Sequence, residues 1–194
     1  MKEEIQEDFP LSKTKHTKGS RHLAREKVLQ VICAYKVAET PWEAIFSHVF
    51  FRKFNFGDDE EVALKILTSD EVFEMDADIP IEWVDDEIMF ARTLIAETIK
   101  ATDYLDDLIK EYAQHWELER IAHIDRILMH MALTELMKFP EIPPKVSINE
   151  AIDIAKKYST AKSGIFINGV LDALHEKLLK EGLCKKAGRG LVDN

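Results

Sequence analysis

Cysteine is nearly absent from this chain of 194 residues: Cys33 and Cys184 are the only two, far apart and without a C-x-x-C partner. That excludes a disulfide framework and a thiolate metal site, and both are expected to be free thiols. Glycine and proline are scarce as well, at seven and six, too few for a low-complexity chain. No run of eighteen apolar residues occurs, and the first twenty positions are charged and polar where a secretory leader has an apolar centre. A cytoplasmic protein without membrane contact is the expectation.

Signatures of chemistry are missing too. The seven histidines form no H-E-x-x-H, and His115 and His123 stand eight apart with Trp116 between them. There is no phosphate-cradling glycine loop, no dinucleotide fingerprint and no nucleophile elbow; Lys162-Ser163-Gly164 lacks the glycines that would have to precede it. Asp106 and Asp107 are neighbours on a helix, point different ways and read as a solvated face. No metal, no cofactor and no catalysed reaction are expected.

What is present is an ordinary soluble composition, 46% hydrophobic and 32% charged, in a length that suits one domain or two small subdomains. The net charge of −10 hides an asymmetry. Residues 57 to 87 carry thirteen carboxylates against Lys65 alone, a local −12 that leaves +2 for everything else. Residues 11 to 27 hold Lys13, Lys15, Lys18, Arg21, Arg25 and Lys27 against Glu26, a local +5. The head is basic and the middle acidic.

Helical periodicity runs through the rest, and no strand pattern of any length appears, so the expected class is all-α. Ala24, Val28, Val31, Ile32 and Tyr35 give one apolar stripe over 21 to 37, and Thr40-Pro41-Trp42 starts a second helix. The acidic stretch 57 to 83 reads as a loop-rich insertion. Val84, Ile88, Ala91, Ile95 and Ile99 mark a long helix, and Thr102-Asp103 is expected to cap another carrying Leu105, Leu108, Ile109 and Tyr112. Residues 118 to 138 are apolar on more than one side, as a centrally buried helix requires. After Pro143-Pro144, Ser147 and Glu150 have capping-box spacing, which places a helix start at Ser147. The turn 159 to 164 leads into a last helix that contains Asn168-Gly169. Asn149 and Asn168 are expected to tie down backbone at helix ends, and Gly169, costly inside a helix, to mark close approach of another element.

The basic head is the one feature that points to a ligand. Lys18, Arg21, His22 and Arg25 recur at helical spacing on one edge, with mobile lysines before them, a pattern suited to a phosphate backbone. Aromatic and amide groups for bases, Phe166 and Asn168, qualify if the last helix packs beside the first.

The segments R-H-L-A-R-E-K-V-L-Q (21 to 30), E-R-I-A-H-I-D-R-I-L (119 to 128), A-L-T-E-L (132 to 136), I-P-P-K-V-S-I-N-E-A-I-D-I-A-K-K-Y-S (142 to 159) and F-I-N-G-V-L-D (166 to 172) occur in this order. Together they resemble the NusB family of transcription antitermination factors over roughly 20 to 54 and 84 to 178. The resemblance implies about seven helices in two small bundles packed crosswise: an arm at 1 to 19, a helical domain at 20 to 180 interrupted by the acidic insertion, and a tail at 181 to 194. It implies binding of boxA-type RNA together with the ribosomal protein NusE, in support of read-through by RNA polymerase, notably in ribosomal RNA operons. The family's RNA contacts map onto Arg21, His22 and Arg25 and onto Lys162, Phe166 and Asn168, with Lys13, Lys15 and Lys18 assisting; the partner contact maps onto Asp125 and Arg126. Family members are monomers or homodimers. This chain departs from the family at His22 and Leu23, where arginines are denser, at Cys33, where a tyrosine is usual, and at His130, where an arginine is usual. The competing expectation, favoured by the acidic total, is a protein-interaction module that has lost RNA binding. A NusB-like domain also precedes a methyltransferase domain in certain ribosomal-RNA enzymes, for which a chain ending at Asn194 leaves no room.

Overall fold

The computed structural model describes residues 17–51, 81–112, 120–160 and 162–192. Among them are seven α-helices, a final 3-10 turn at Gly188–Leu191 and one pair of two-residue strands, β1 (Thr17–Lys18) and β2 (Ile81–Glu82). The strands run parallel, Thr17 opposite Ile81 and Lys18 opposite Glu82. They are too short to leave a period-2 pattern, so the all-α expectation stands with this ladder as an addition.

Helix α1 (Arg21–Val37) starts where Ser20 accepts the Leu23 N–H at 3.1 Å, and it buries Ala24, Val28, Val31 and Ile32 as their spacing requires. Helix α2 (Trp42–Phe51) follows Pro41 and turns Phe46 and Phe50 inward, their rings stacked at 4.2 Å. Trp83 packs against Phe50, its indole N–H donating to the Phe50 carbonyl at 3.1 Å. The rest of the acidic insertion, up to residue 80, lies outside the described residues.

Helix α3 (Asp85–Lys100) begins with three carboxylates at the positive end of the helix dipole, and Glu87 reaches back to accept the Val84 N–H at 3.1 Å. Val84 stays outside this helix and exposed, while Ala91 and Ile95 from the expected stripe are buried. Helix α4 (Thr102–Tyr112) does not use Thr102 as a cap. Its hydroxyl donates backward to the carbonyls of Thr98 and Ile99, because the chain passes from α3 to α4 with almost no connection and those carbonyls lie in the last turn of α3.

Helix α5 (His123–Lys138) is the axis that its all-round apolarity predicts: every residue from Ile127 to Leu136 is buried. It packs on α1 and α3 on one side and on α4 and the two remaining helices on the other. Helices α1 to α3 and α4 to α7 are thus the two groups the family resemblance implies, joined through α5. Each large side chain that α5 buries is worth roughly 1.5–3 kcal/mol of removal from water.

Two expectations fail in the last helices. Helix α6 (Pro144–Tyr158) starts at Pro144, three residues before Ser147, since proline at the first position gives up no hydrogen bond. Ser147 is therefore no cap; it is buried and donates to Glu135 at 2.9 Å, while Glu150 faces α1. Helix α7 (Ser163–Lys180) buries Ile167, Val170, Leu171, Leu174 and Leu178, but Gly169 lies on its exposed side, where an added Cβ would meet nothing within 4 Å. No neighbour explains that glycine. Beyond α7 the chain folds back over the end of α5, where Lys186 donates to the carbonyls of Glu135 and Phe139, which also accept the N–H groups of Phe139 and Ile142, so its charge sits at the negative end of the helix dipole. Among the described residues no helix is long and apolar enough to cross a membrane.

Candidate nucleic-acid interface

The first turn of α1 sorts its basic residues by exposure. Lys18 is exposed and makes no ion pair among the described residues. Arg21 is one-third exposed, its guanidinium 4.3 Å from the centre of the Phe90 ring and 2.6 Å from Asp86. His22 is nearly half exposed between two carboxylates, with Nδ1 2.8 Å from Glu150 and Nε2 3.4 Å from Glu26.

Arg25, expected on the same edge, is turned the other way. Its side chain is 4% exposed, and it donates from Nε and Nη2 to the two oxygens of Glu135 at 2.7 and 2.8 Å. Burial alone would pull the guanidinium's pKa down; the hydrogen bonds and charge of Glu135, with Glu150 beside it, more than compensate and hold it above its ordinary value. Arg25 therefore stays charged and has no exposed face for a phosphate. A spacing of four residues puts Arg21 and Arg25 on one helix side, but α5 covers only the second of them.

Two residues that the sequence analysis did not single out join this edge to the other expected contact region. Glu26, buried on α1, accepts from Lys157 at 2.9 Å and from the Tyr158 hydroxyl at 3.1 Å. The Glu26 hydrogen bond raises the pKa of Lys157, and burial raises that of Tyr158. The signal available was the run Ala155-Lys-Lys-Tyr158 at the end of α6, opposite an acid within a basic helix start. From Tyr158 the chain passes through a hydroxyl cluster of Ser159, Thr160 and Ser163 directly into α7. Lys162 is exposed at that turn, Phe166 is half-buried against the core, and Asn168 is exposed and donates to Asp172 at 2.9 Å, so its amide braces its own helix face rather than a helix end. Lys13 and Lys15 lie outside the described residues.

The residues expected to meet a protein partner behave differently. Asp125 is buried at the start of α5, and its Oδ1 has no hydrogen-bond partner among the described residues. Arg126 donates from Nε to Asp106 at 2.6 Å and from Nη2 to the second oxygen of the same carboxylate. His130 completes the group with Nε2 2.8 Å from Asp106. Burial pushes the His130 pKa down to about 4 against the pull of Asp106, so the ring is neutral near pH 7 and its Nε2–H donates to the carboxylate. Burial would raise Asp106, but Arg126 and His130 outweigh it and hold the carboxyl below its usual range. Asp106, read from the sequence as a solvated carboxylate, is instead 7% exposed and the centre of this cluster.

A family model described as the NusB family matches residues 22–176. The chain is 44% identical over 143 residues to the transcription antitermination protein NusB of Salinibacter ruber, covering 70% of this chain and 89% of that one. It is 36% identical over 174 residues to the protein of the same name from Chloroherpeton thalassium, covering 90% and 70%. Among solved structures, NusB of T. maritima aligns with a TM-score of 0.61 at 26% identity over 83% of this chain and 94% of that one. A structure of antitermination factors NusB and NusE in complex with dsRNA aligns at 0.57 and 20% identity, over 81% and 96%, a likeness of fold alone.

Proposed function

The chain belongs to the NusB family of transcription antitermination proteins, and from that membership we propose that it binds boxA-type RNA on the exposed start of α1 and the α6–α7 turn. On this reading Lys18, Arg21 and His22 meet phosphates, with the lysines of the 1 to 19 arm adding screened attraction, while Lys162, Phe166 and Asn168 meet bases and backbone. The observation that carries the reading is the bridge of Lys157 and Tyr158 to Glu26, which holds the end of α6, and with it the turn bearing Lys162, against the basic helix. NusE docks at the start of α5, around Asp125 and Arg126, and the complex serves read-through by RNA polymerase in the cytoplasm. The protein acts by binding and catalyses no reaction.

Arg25 contributes from inside, by fixing α1 on α5 and α6. The rival reading, an interaction module without RNA affinity, gains from the carboxylates that occupy Arg21 and His22. Titration of labelled boxA RNA with the full chain, with and without NusE, separates the two. Saturable binding that tightens with NusE and weakens in Lys162→Ala and Phe166→Ala supports the proposal; NusE binding with no RNA affinity at any salt concentration overturns it.

A further inference from the structure

Arg21 has two claims on it. Its guanidinium lies on the Phe90 ring and points Nη2 at Asp86 Oδ2, 2.6 Å away. Carboxylate and phosphate oxygens are equivalent acceptors for that group, so what holds Arg21 in the free protein has the chemistry of what it would hold in RNA. Asp86 is 78% exposed and buries no surface that the fold needs. Its neighbours Asp85 and Glu87 supply negative charge to the same helix start, and Glu87 alone accepts the backbone N–H there.

Asp86 is also fixed at this distance. The β1–β2 ladder joins the lead-in of α1 to the lead-in of α3, and the Gly19 N–H extends it by donating to the Glu82 carbonyl at 2.8 Å. Gly19 has no room for a side chain: a Cβ would sit 2.2 Å from Glu87 Oε2 and 2.8 Å from the Trp83 ring. The two helix starts therefore move as one piece, and RNA that reaches Arg21 also reaches Asp86.

We infer that Asp86 is an intramolecular competitor for the RNA phosphate at Arg21, so that the affinity of this chain for RNA is set by exchange of Arg21 between the two. The inference rests on α1 being the RNA edge. It depends on the pair being exposed and weak: the buried Arg25–Glu135 pair cannot open to a ligand, whereas an exposed pair exchanges readily and limits the effect to about two- to fivefold in affinity. When Arg21 turns to a phosphate, Asp86 is left beside it, so the competition continues in the complex as repulsion.

The test is fluorescence titration of labelled single-stranded boxA RNA with full-length protein, from about 50 to 200 mM salt, using Arg21→Ala, Asp86→Asn, the double variant and Asp85→Asn, a control of equal charge on the same helix turn. Expected are weaker binding for Arg21→Ala, two- to fivefold tighter binding for Asp86→Asn, most marked at low salt, a smaller gain for Asp85→Asn, and, once Arg21 is alanine, a gain from Asp86→Asn no larger than that of Asp85→Asn. The salt slope of Asp86→Asn should steepen by up to about 0.7, the value of one added phosphate contact on a single strand. Asp86→Asn binding equal to or weaker than wild type, with Arg21→Ala still weakened, overturns the competitor and leaves the RNA edge standing. Unchanged binding by Arg21→Ala removes the edge, and the inference falls with it.

Discussion

Replacing Arg25 with alanine would strand Glu135. That carboxylate is 1% exposed and accepts two hydrogen bonds from Arg25 and one from Ser147. Without the guanidinium it keeps a single hydroxyl donor in a buried site and loses its ion-pair partner, while Lys186 nearby is held by the Glu135 and Phe139 carbonyls. Breaking a buried pair by removing one partner costs about 3–5 kcal/mol, a large share of the 5–15 kcal/mol that typically holds a domain folded. Urea unfolding followed by circular dichroism should show the midpoint falling by about 2 M, taking a slope near 2 kcal/mol per molar. The double change Arg25→Leu and Glu135→Leu removes both charges and should recover most of the loss, since apolar replacement of a whole buried pair is often neutral or better. Arg25→Lys should fall between, because an ammonium cannot present two parallel donors. At a temperature where the alanine variant remains folded, its RNA affinity should match wild type. A wild-type midpoint for Arg25→Ala would refute the reasoning about Glu135, and a folded variant that fails to bind RNA would return Arg25 to the contact surface.

Gly169→Ala should raise stability by about 0.5–1 kcal/mol, seen as a higher melting temperature, because the position is helical and open; a lower melting temperature would mean the glycine is required within the fold. His130 stays neutral down to about pH 4 when folded, whereas the unfolded side chain takes a proton near 6.5, so stability should fall as pH drops through that window, by roughly 3 kcal/mol in all. His130→Gln keeps an N–H for Asp106 and does not titrate; urea midpoints measured across that window should lose most of their slope, and an unchanged slope would acquit His130. Ser147→Ala should cost about 1–2 kcal/mol by urea unfolding through the lost bond to Glu135, whereas loss of only a few tenths would place the hydroxyl outside the network.

Apolar periodicity carried most of the fold. The stripe of α1 and the all-round apolarity of α5 are one-dimensional patterns, and both reappear as buried surface at the expected places. Ser147 shows where such reading stops: S-x-x-E spacing is compatible with a cap and equally with two residues on one inward helix face, and Glu135, distant in sequence, decides between them. Arg25 follows the same logic, since a basic residue four positions from another shares its helix side but not its cover. Asp106 looked solvated because its partners Arg126 and His130 are on a different helix. Gly169 was read as a sign of close packing within the molecule, and the structure leaves its surroundings open. For Ser147, Arg25 and Asp106 the missing information was a tertiary partner, to which local spacing is blind.

The central position of α5 has a consequence for synthesis. Helix α1 ends at residue 37 and needs α5, which ends at residue 138, to cover the side bearing Arg25. At about 5–20 residues per second, roughly 5 to 20 seconds pass at the ribosome between the two. During that interval α2 and α3 are the main covers of α1 among the described helices, and the Arg25 guanidinium waits in water for a carboxylate not yet made. The emerging N-terminal half should therefore behave as an open, chaperone-accessible intermediate that closes in one cooperative step once residue 138 leaves the exit tunnel.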